Sequence, residues 1–368
     1  MKATMTSATP AAEALASPHA HGGNSVARTM FRVQLALLPA TLCGFWLFGW
    51  QAFFLWLLTI LSCLGCEALA LGLMGRRPLK RSLGDGSALL TGWLLAMTLP
   101  PWAPWWVAVV GGFIAIVVGK QVFGGVGQNV FNPAMVARVA LLVSFPLPLT
   151  QWVLPLPLTP LAAPGFVDSL HIFLNSLPPT DAMASASLLG FSKTELARGS
   201  DLLHSLSGAS APLLSWLGAR SGSLGESASL LILAGGLYLL ASGIITWHTP
   251  AAVLLGLALP AAIGHAVDPA RYLSVATHLL SGAAMLGAFF IATDYVTSPN
   301  TGAGQLVFGV AVGVLTWVIR SYGGYPEGMA FAVLLMNAMT PVIDRFIKPR
   351  ILGRDRQGKP LTIPESAA

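Results

Sequence analysis

The sequence predicts an all-α polytopic membrane protein, and three observations support this fold class. Hydrophobic residues make up 55% of the 368 residues and charged residues only 9%, whereas an ordinary soluble domain carries about 25% charged residues. The mean hydropathy is +0.72. Apolar stretches of ~20 residues, long enough to cross a bilayer, recur along the chain. A water-soluble surface cannot be built from this composition, so we expect a helical bundle in lipid.

The apolar stretches predict about ten transmembrane helices, some of them broken or re-entrant. Residues 1–25 lack an apolar core followed by a cleavage site, which indicates a disordered tail and no removable signal peptide. Residues 345–368 form a basic tail. The predicted spans cover residues 28–48, 51–74, 87–99, 104–121, 131–149, 229–245, 250–266, 278–293, 303–319 and 326–343.

The distribution of positive charge predicts how the chain is oriented. Fourteen of the 20 lysines and arginines fall on the side of the N-terminus, and five fall on the other side. Cytoplasmic loops carry the excess of Lys and Arg, so both termini are predicted to be cytoplasmic. The long polar connection, residues 150–228, is then periplasmic. The net charge of +6 reflects these loops and does not indicate a nucleic-acid partner.

The two halves of the chain resemble each other. The segment SALLTGWLLAMTLPPWAP has a counterpart in SGAAMLGAFFIATDYVTSP, and the Gly-Gly pair before the fifth span recurs before the tenth. We therefore predict two membrane repeats, residues 26–149 and 229–344. A repeat of five spans is odd in number, so the second copy has inverted polarity. Transport proteins with this organisation bind their ligands near broken helices at the repeat interface.

The segment GGVGQNVFNPAMVAR, residues 124–138, is the most unusual polar stretch. Its glycines permit positive φ angles and close backbone approach. Its asparagines offer amide groups where a membrane protein rarely leaves them unpaired. Two interpretations stay open: an entry segment that binds a planar polar ligand, or a tight interhelical turn capped by an asparagine. The residues concerned are Gly124, Gly125, Gly127, Asn129 and Asn132.

Charged residues inside predicted spans are further candidates, because they are costly to bury and usually face a cavity or a partner. Glu67 and Arg138 meet this description. Glu67 could instead extend toward the basic loop that follows its span. Asp294 ends the eighth span, where capping a helix end is the simpler interpretation. Glu67 and Asp294 are kept as ion-pathway candidates.

Several sequence stretches carry a family resemblance. The runs DGSALLTGWLLAMTLPPWAPWW and GKQVFGGVGQNVFNPAMVARVALLVSFP closely resemble the D subunits of Rnf ion-translocating electron-transport complexes. They are less similar to the B subunits of sodium-pumping NADH:quinone reductases. The runs HLLSGAAMLGAFFIATDYVTSP, GSLGES and RSYGGYPEGMAFAVLLMNAMTPVID extend the match to nearly the whole chain.

The resemblance implies a covalently bound flavin mononucleotide. In this family the phosphate of the flavin is attached to a hydroxyl residue of a non-cytoplasmic loop, in a pattern similar to D-G-x-S-x-A-T. The matching stretch here is DAMASAS, from Asp181 to Ser187, in the connection that the charge distribution places outside the cytoplasm. Ser187 takes the position that is usually Thr, and a serine hydroxyl can form the same phosphoester.

The resemblance also implies a second, non-covalent flavin, riboflavin in the related reductase, near the segment that contains Asn129 and Asn132. It implies the A, B, C, E and G subunits as partners and electron transfer coupled to movement of Na⁺ or H⁺. Arg138 is included among the candidate cofactor-binding residues. Two alternatives remain: a urea-transporter-like solute channel or carrier, and the B subunit of the sodium-pumping reductase.

Overall fold

A computed structural model of the chain describes residues 25–75, 83–155, 164–178, 184–202, 205 and 221–349. The first half contains α1 (Val26–Phe48), α2 (Trp50–Leu73), α3 (Ser87–Thr98), α4 (Trp105–Phe113), a π-helix that continues α4 (Ile114–Gln121) and α5 (Pro133–Ser144). The connection contains α6 (Pro146–Thr150), β1 (Trp152–Val153), α7 (Phe166–Leu174), β2 (Ala184–Ser185) and α8 (Leu188–Ala197). The second half contains α9 (Leu224–Ser227), α10 (Ser229–Ala241), α11 (His248–Val267), α12 (Val275–Leu280), α13 (Ala284–Leu286), a π-helix that continues α13 (Gly287–Ile291), α14 (Gly302–Tyr322) and α15 (Met329–Phe346).

The helices confirm the predicted fold class. Five of them, α1, α2, α11, α14 and α15, are long and apolar enough to cross a membrane. Four shorter apolar helical segments accompany them: α3, α4 with its π-helix, α5 and α10. Within the described residues the only strands are β1 and β2, which form one short antiparallel pair. The chain is therefore an all-helical, multi-pass membrane protein.

The broken spans coincide with residues that interrupt helical hydrogen bonding. The third predicted span is short but unbroken, helical from Ser87 to Thr98, and it ends shortly before Pro100. The fifth divides at Phe145, which precedes Pro146 and has a φ of −133°, because a residue before proline is restricted to extended conformations. The eighth divides between α12 and α13 beside Gly282, which has a φ of +65°, a conformation that strongly favours glycine.

An ion pair spans the break between α12 and α13. Arg320 Nη2 lies 2.7 Å from Glu327 Oε2. The guanidinium donates to the carbonyls of His278 at 2.6 Å and Ser281 at 3.0 Å, at the end of α12. The carboxylate accepts the N–H of Ala283, at the start of α13, at 3.0 Å. Each charge faces a helix end of opposite partial charge, which stabilises the interrupted helix.

Two cations occupy corresponding places in the two halves. Lys120 precedes the first Gly-Gly pair, and Arg320 precedes the second. Lys120 Nζ donates to the hydroxyl of Ser87, the first residue of α3, at 2.8 Å. Arg320 donates to the carbonyl of Ser281, which aligns with Ser87 in the internal repeat. The two-repeat organisation stays a prediction from sequence.

The bundle has two ends, defined here by α1. The proximal end is where α1 begins, at Val26, and the distal end is where α1 finishes, at Phe48. A Cβ atom added at Gly44 would lie 2.5 Å from Leu224 Cδ2, so α9 packs closely against the last turns of α1. The chain then returns through α10 toward the proximal end.

The described parts of the connection pack on the distal end. Gln51 Nε2, at the start of α2, donates to the carbonyl of Ser169 in α7 at 2.8 Å. The rings of Trp50 and Phe166 meet edge to face at 5.1 Å. β1 pairs with β2, so the segment just before Ser187 is tied back to the start of the connection. These contacts give the connection a defined place on the bundle.

Candidate functional site

A cavity of about 120 Å³ lies at the proximal end of the bundle. Its walls come from the first turns of α1, α3 and α5, the end of α10 and the π-helix after α13. Aliphatic and aromatic side chains form most of the wall, and a few polar groups converge on it. This combination is typical of sites for small organic molecules. The polar residues of the wall include Lys120, Asn129, Asn132, Thr293 and Asp294.

A buried chain of polar groups extends from this cavity into the bundle. Lys120 Nζ lies 2.9 Å from both carboxylate oxygens of Glu67, and the two side chains are 3% and 1% exposed. The same ammonium donates to Ser87 Oγ at 2.8 Å, and Ser87 Oγ donates to Asp85 Oδ1 at 2.6 Å. Glu67 therefore does not extend toward the basic loop, as one interpretation had it. The carboxylate holds Lys120 in the cavity wall.

The charge distribution counts Lys120 only as one of the cations on the side of the N-terminus, at the end of the fourth predicted span. The residue stands at the end of a π-helix, a form that often occurs at functional sites. That count considers each cation separately, whereas the Lys120 ammonium is neutralised by Glu67, 53 positions earlier in the sequence. The sequence feature that could have identified Lys120 as a buried residue is its position directly after the apolar run IAIVVG.

The glycine-rich turn between the π-helix and α5 has the predicted conformation. Gly124, Gly125 and Gly127 have φ angles of +117°, +103° and +85°. These glycines shape the turn, and the residues of the turn that line the cavity are Val126 and Asn129. The close backbone approach to a ligand at the glycines stays a prediction.

Asn132 caps α5, in agreement with the simpler of the two interpretations. Its side-chain oxygen accepts the N–H groups of Ala134 at 3.1 Å and Met135 at 3.3 Å. Its Nδ2 points to Asp294 Oδ2 at 3.5 Å, and both residues line the cavity. Asn132 therefore both caps α5 and lines the cavity, because α5 begins at the cavity.

Asn132 and Asp294 also join the two halves of the chain. The backbone N–H of Asn132 donates to Asn337 Oδ1 in α15 at 3.1 Å, and Asn337 Nδ2 donates to the carbonyl of Thr297 at 3.1 Å. Asp294 accepts the N–H of Val296 at 3.2 Å, so it stabilises the turn after the π-helix. Asp294 has no Lys or Arg ion-pair partner among the described residues.

A second, smaller cavity of about 20 Å³ lies toward the distal end. Ser187 and Leu189 of the connection form one part of its wall, and Arg138 of α5, Glu226 of α9 and Glu327 form another. The structure thus brings together Ser187 and Arg138, which are 49 positions apart in the sequence. Nothing in the residue pattern predicted this proximity.

Arg138 is the most unusual side chain of the distal cavity. The residue is 8% exposed, and its Nη1 atom has no hydrogen-bond acceptor among the described residues. Glu226, which shares the cavity wall, accepts a hydrogen bond from Ser223 Oγ at 3.0 Å. A buried guanidinium donor without an acceptor is costly, so this atom is suited to an anionic group that enters the cavity.

Ser187 is the N-cap of α8 and is 6% exposed. Its Oγ accepts the N–H of Gly190 at 3.2 Å. A group attached to this oxygen would lie at the N-terminal end of a ten-residue helix, where free N–H groups and the helix dipole favour negative charge. Asp181, the other predicted residue of this stretch, lies outside the described residues.

The cysteines and His278 form no metal site among the described residues. Cys43, Cys63 and Cys66 are free thiols on α1 and α2. His278 is buried, and within the described residues no group of His, Cys, Asp and Glu side chains has a metal-binding arrangement. Two further residues were not identified from the sequence. Glu327 lines the distal cavity, and Lys193 donates to the carbonyl of Tyr325, close to Glu327 in the chain.

Comparison with known proteins identifies the family. Residues 14–353 match the profile of the NQR2, RnfD, RnfE family. A protein of Halorhodospira halophila is 49% identical over 350 residues, which are 95% of this chain and 98% of that protein. A protein of Stutzerimonas stutzeri is 54% identical over 338 residues, 92% of this chain and 95% of the relative. Both are named as the D subunit of an ion-translocating oxidoreductase complex. The chain belongs to the NQR2, RnfD, RnfE family.

Proposed function

We propose that the chain is the flavin-carrying D subunit of an Rnf-type complex in the bacterial inner membrane. In this role it relays electrons between flavins, and the complex couples the transfer to movement of Na⁺ or H⁺. Relatives that match over almost their full length are named as D subunits of ion-translocating oxidoreductase complexes. The protein part of such a subunit supplies position and electrostatics, while a bound flavin supplies one- and two-electron redox chemistry.

The observation that carries the proposal is the meeting of Ser187 and Arg138 in one buried cavity. Ser187 Oγ is the acceptor for flavin attachment, and Arg138 Nη1 is a buried donor without an acceptor among the described residues. A phosphoester supplies the anionic oxygens that such a donor requires, and guanidinium–phosphate hydrogen bonds are among the strong ones. The residues present therefore fit the phosphate end of flavin mononucleotide.

The attachment step requires a flavin whose phosphate carries a leaving group, as in a flavin dinucleotide. Ser187 Oγ would form the phosphoester as the nucleoside monophosphate left, and its hydroxyl proton would go to solvent. A cavity of about 20 Å³ holds about one water molecule. The connection and neighbouring side chains must therefore open to admit the ring system.

The proximal cavity is the proposed site of the second, non-covalent flavin. Its apolar wall suits a flat aromatic ring system, and Asn129, Asn132 and Lys120 supply polar groups at one side. Its volume of about 120 Å³ is comparable with cavities of ~150 Å³ that accept one aromatic ring. A flavin would extend from it along the glycine-rich turn, where Gly127 has no neighbour within 4 Å of an added Cβ.

Glu67 and Asp294 are the proposed ion-pathway residues. The chain Glu67, Lys120, Ser87 and Asp85 provides continuous hydrogen bonds between a fully buried carboxylate and one that is partly exposed. Asp294 is a carboxylate at the junction of the two halves, beside the same cavity. Buried ionisable groups of this kind in membrane proteins commonly carry ions or protons.

The proposed topology places both termini and the proximal cavity at the cytoplasmic side, and the connection with the distal cavity at the periplasmic side. The positive-inside distribution supports this orientation. The A, B, C, E and G subunits are the proposed partners. A solute channel is the less favoured function, because the relatives are named as oxidoreductase subunits. The same names favour a D subunit over the B subunit of a sodium-pumping reductase.

The test is the flavin content of the denatured polypeptide. The wild-type chain, purified from the complex, is expected to give a flavin fluorescence band on a denaturing gel, and Ser187→Ala is expected to abolish it. Ser185→Ala removes a hydroxyl two positions earlier and is the matched control that keeps the band. Ser187→Thr restores the usual acceptor of the family and is expected to keep or strengthen it. A wild-type chain without the band contradicts the proposal.

A further inference from the structure

The helix that carries Ser187 at its N-cap is attached to the bundle by a lysine. α8 begins immediately after Ser187, and Lys193 lies in its second turn. Lys193 Nζ donates to the carbonyl of Ile319 at 3.2 Å and also to the carbonyls of Gly323 and Tyr325. Three acceptors surround one ammonium group, and an ammonium has three donors. All of its hydrogen-bonding capacity is therefore used at this place.

The carbonyls that hold Lys193 belong to the end of α14 and the loop that follows it. The last carbonyls of a helix have no partners within the helix and carry partial negative charge, so a cation is favourable there. Burial lowers the pKa of the Lys193 ammonium, and the Glu327 carboxylate counteracts this effect. The lowered pKa reflects the cost of taking the charge out of water, which the carbonyl contacts offset.

The loop that binds Lys193 also forms part of the distal cavity. Pro326 and Glu327 follow Tyr325 directly, and both line the cavity together with Ser187 and Leu189. One lysine thus joins the two walls, the helix that begins after Ser187 and the loop that carries Glu327. On the other side of Ser187, β2 pairs with β1. The segment that contains Ser187 is held from both directions.

We infer that Lys193 is a positioning residue that docks α8 on the end of α14 and so keeps Ser187 in the wall of the distal cavity beside Arg138. Its functional meaning rests on the proposed flavin attachment at Ser187. In the docked state the hydroxyl is inaccessible, so attachment takes place while α8 is undocked. Docking then returns the modified residue to the buried donor of Arg138.

The test measures how accessible position 187 is, without any flavin. Ser187→Cys is introduced into a full-length chain whose three native thiols are replaced by Cys43→Ser, Cys63→Ala and Cys66→Ser, assembled in its complex. A membrane-impermeant maleimide is applied, and the labelling rate is measured. Lys193→Met removes the donors and keeps the stem; it is expected to raise the rate about ten-fold, equivalent to ~1.4 kcal/mol of docking free energy.

Matched controls keep the result interpretable. Arg198→Gln changes a cation of the same helix whose side chain is 70% exposed, and it is expected to leave the rate within about two-fold. Lys193→Arg keeps the charge but replaces a compact ammonium by a planar fork, so its rate is expected between wild type and Lys193→Met. Leu154→Cys, at an exposed position of the connection, serves as the accessible reference in every variant.

A Lys193→Met rate within two-fold of wild type overturns the inference, and so does an equal increase in Arg198→Gln. If Lys193→Met does not assemble, the Lys193→Arg rate decides alone: an increase supports docking and no increase contradicts it. In the native Ser187 chain, iodide quenching of the attached flavin is expected to increase in Lys193→Met. If the wild-type chain carries no attached flavin, the proposed function is contradicted, and the labelling rate at position 187 still tests the docking.

Discussion

The two cavities of this protein differ in volume and in whether the cation in their wall has a partner among the described residues. The proximal cavity is six times larger, about 120 Å³ against about 20 Å³, and the lysine in its wall is already neutralised, because Lys120 is paired with Glu67. The distal cavity is small and contains Arg138, a buried guanidinium with a donor that is unsatisfied among the described residues. A preformed apolar space suits a ligand that binds reversibly. A small space with an unsatisfied guanidinium donor suits an anionic group that is held covalently.

The difference also lies in how the walls are built. Helices of the bundle, together with the turns that join them, form the proximal cavity, so its shape is fixed by the bundle. The distal cavity is closed in part by α8 and the Ser187 N-cap, which belong to a connection outside the predicted spans. A wall of this kind can open for covalent modification, whereas the proximal wall needs only to admit a diffusing ligand. Substitutions at the two ends should therefore have separable effects, which follow from the largest expected to the smallest.

The largest effect is expected from breaking the proximal ion pair. Glu67→Gln leaves the Lys120 ammonium buried without its counter-charge, which typically costs about 3–5 kcal/mol. We expect a clearly lower unfolding temperature in detergent and loss of extractable non-covalent flavin, with the covalent flavin retained. The double variant Glu67→Gln/Lys120→Met removes the isolated charge and is expected to recover most of the stability. Equal stability of the single variant and wild type would contradict the buried pair.

The next effect concerns the distal cation. Arg138→Met removes the donor proposed for the flavin phosphate, and a hydrogen bond to a charged group contributes about 1.5–3 kcal/mol. The fraction of chains that carry covalent flavin is therefore expected to fall about ten-fold or more, as measured by in-gel fluorescence normalised to protein. Arg138→Lys keeps the charge and should retain an intermediate fraction. Unchanged loading in Arg138→Met would remove Arg138 from the phosphate site.

Asn132→Ala tests the residue that both caps α5 and lines the proximal cavity beside Asp294. Loss of an N-cap costs about 0.5–2 kcal/mol, and the contact to Asp294 is lost as well. We expect a modest decrease in unfolding temperature and weaker binding of non-covalent flavin, measured by titration of the flavin-depleted protein. Asn129→Ala leaves the cap intact and should affect flavin binding with little change in stability. The same affinity in both variants and wild type would place the second flavin elsewhere.

The smallest effect on flavin binding is expected at the glycine-rich turn, with a loss of stability similar to that of Asn132→Ala. Gly127→Ala forces a side chain into a left-handed conformation, which costs roughly 1–2 kcal/mol, while the added Cβ meets no atom within 4 Å. Stability should fall by about that amount. If the flavin extends along this turn, its affinity falls further; an unchanged affinity indicates that the ligand stays within the cavity. Thermal unfolding with and without added riboflavin distinguishes the two results.

The features that the sequence could predict are local ones. Hydropathy predicted the spans because it depends on local composition, but the positions of the breaks, such as the one before Pro146, were not predicted. The Asn-Pro pair at 132–133 predicted the cap of α5, which is again a local effect. The positive φ values of Gly124, Gly125 and Gly127 followed from residue type alone.

The features that sequence reasoning missed depend on long-range packing. Lys120 was counted only as one of the charges on the N-terminal side, since its partner, Glu67, is on another helix. The proximity of Ser187 to Arg138 depends on how the connection folds back over the bundle, and hydropathy contains no information on that path. Lys193 was counted only as a charge, since the carbonyls that bind it lie more than 120 positions away.

The most direct measurement is mass spectrometry of the peptide that spans Asp181 to Lys193, from a chain purified in its complex. The account predicts a flavin mononucleotide joined through its phosphate to Ser187, while a second flavin is released when the same sample is denatured. An unmodified peptide, or a flavin attached to a residue other than Ser187, would contradict the account of the distal cavity.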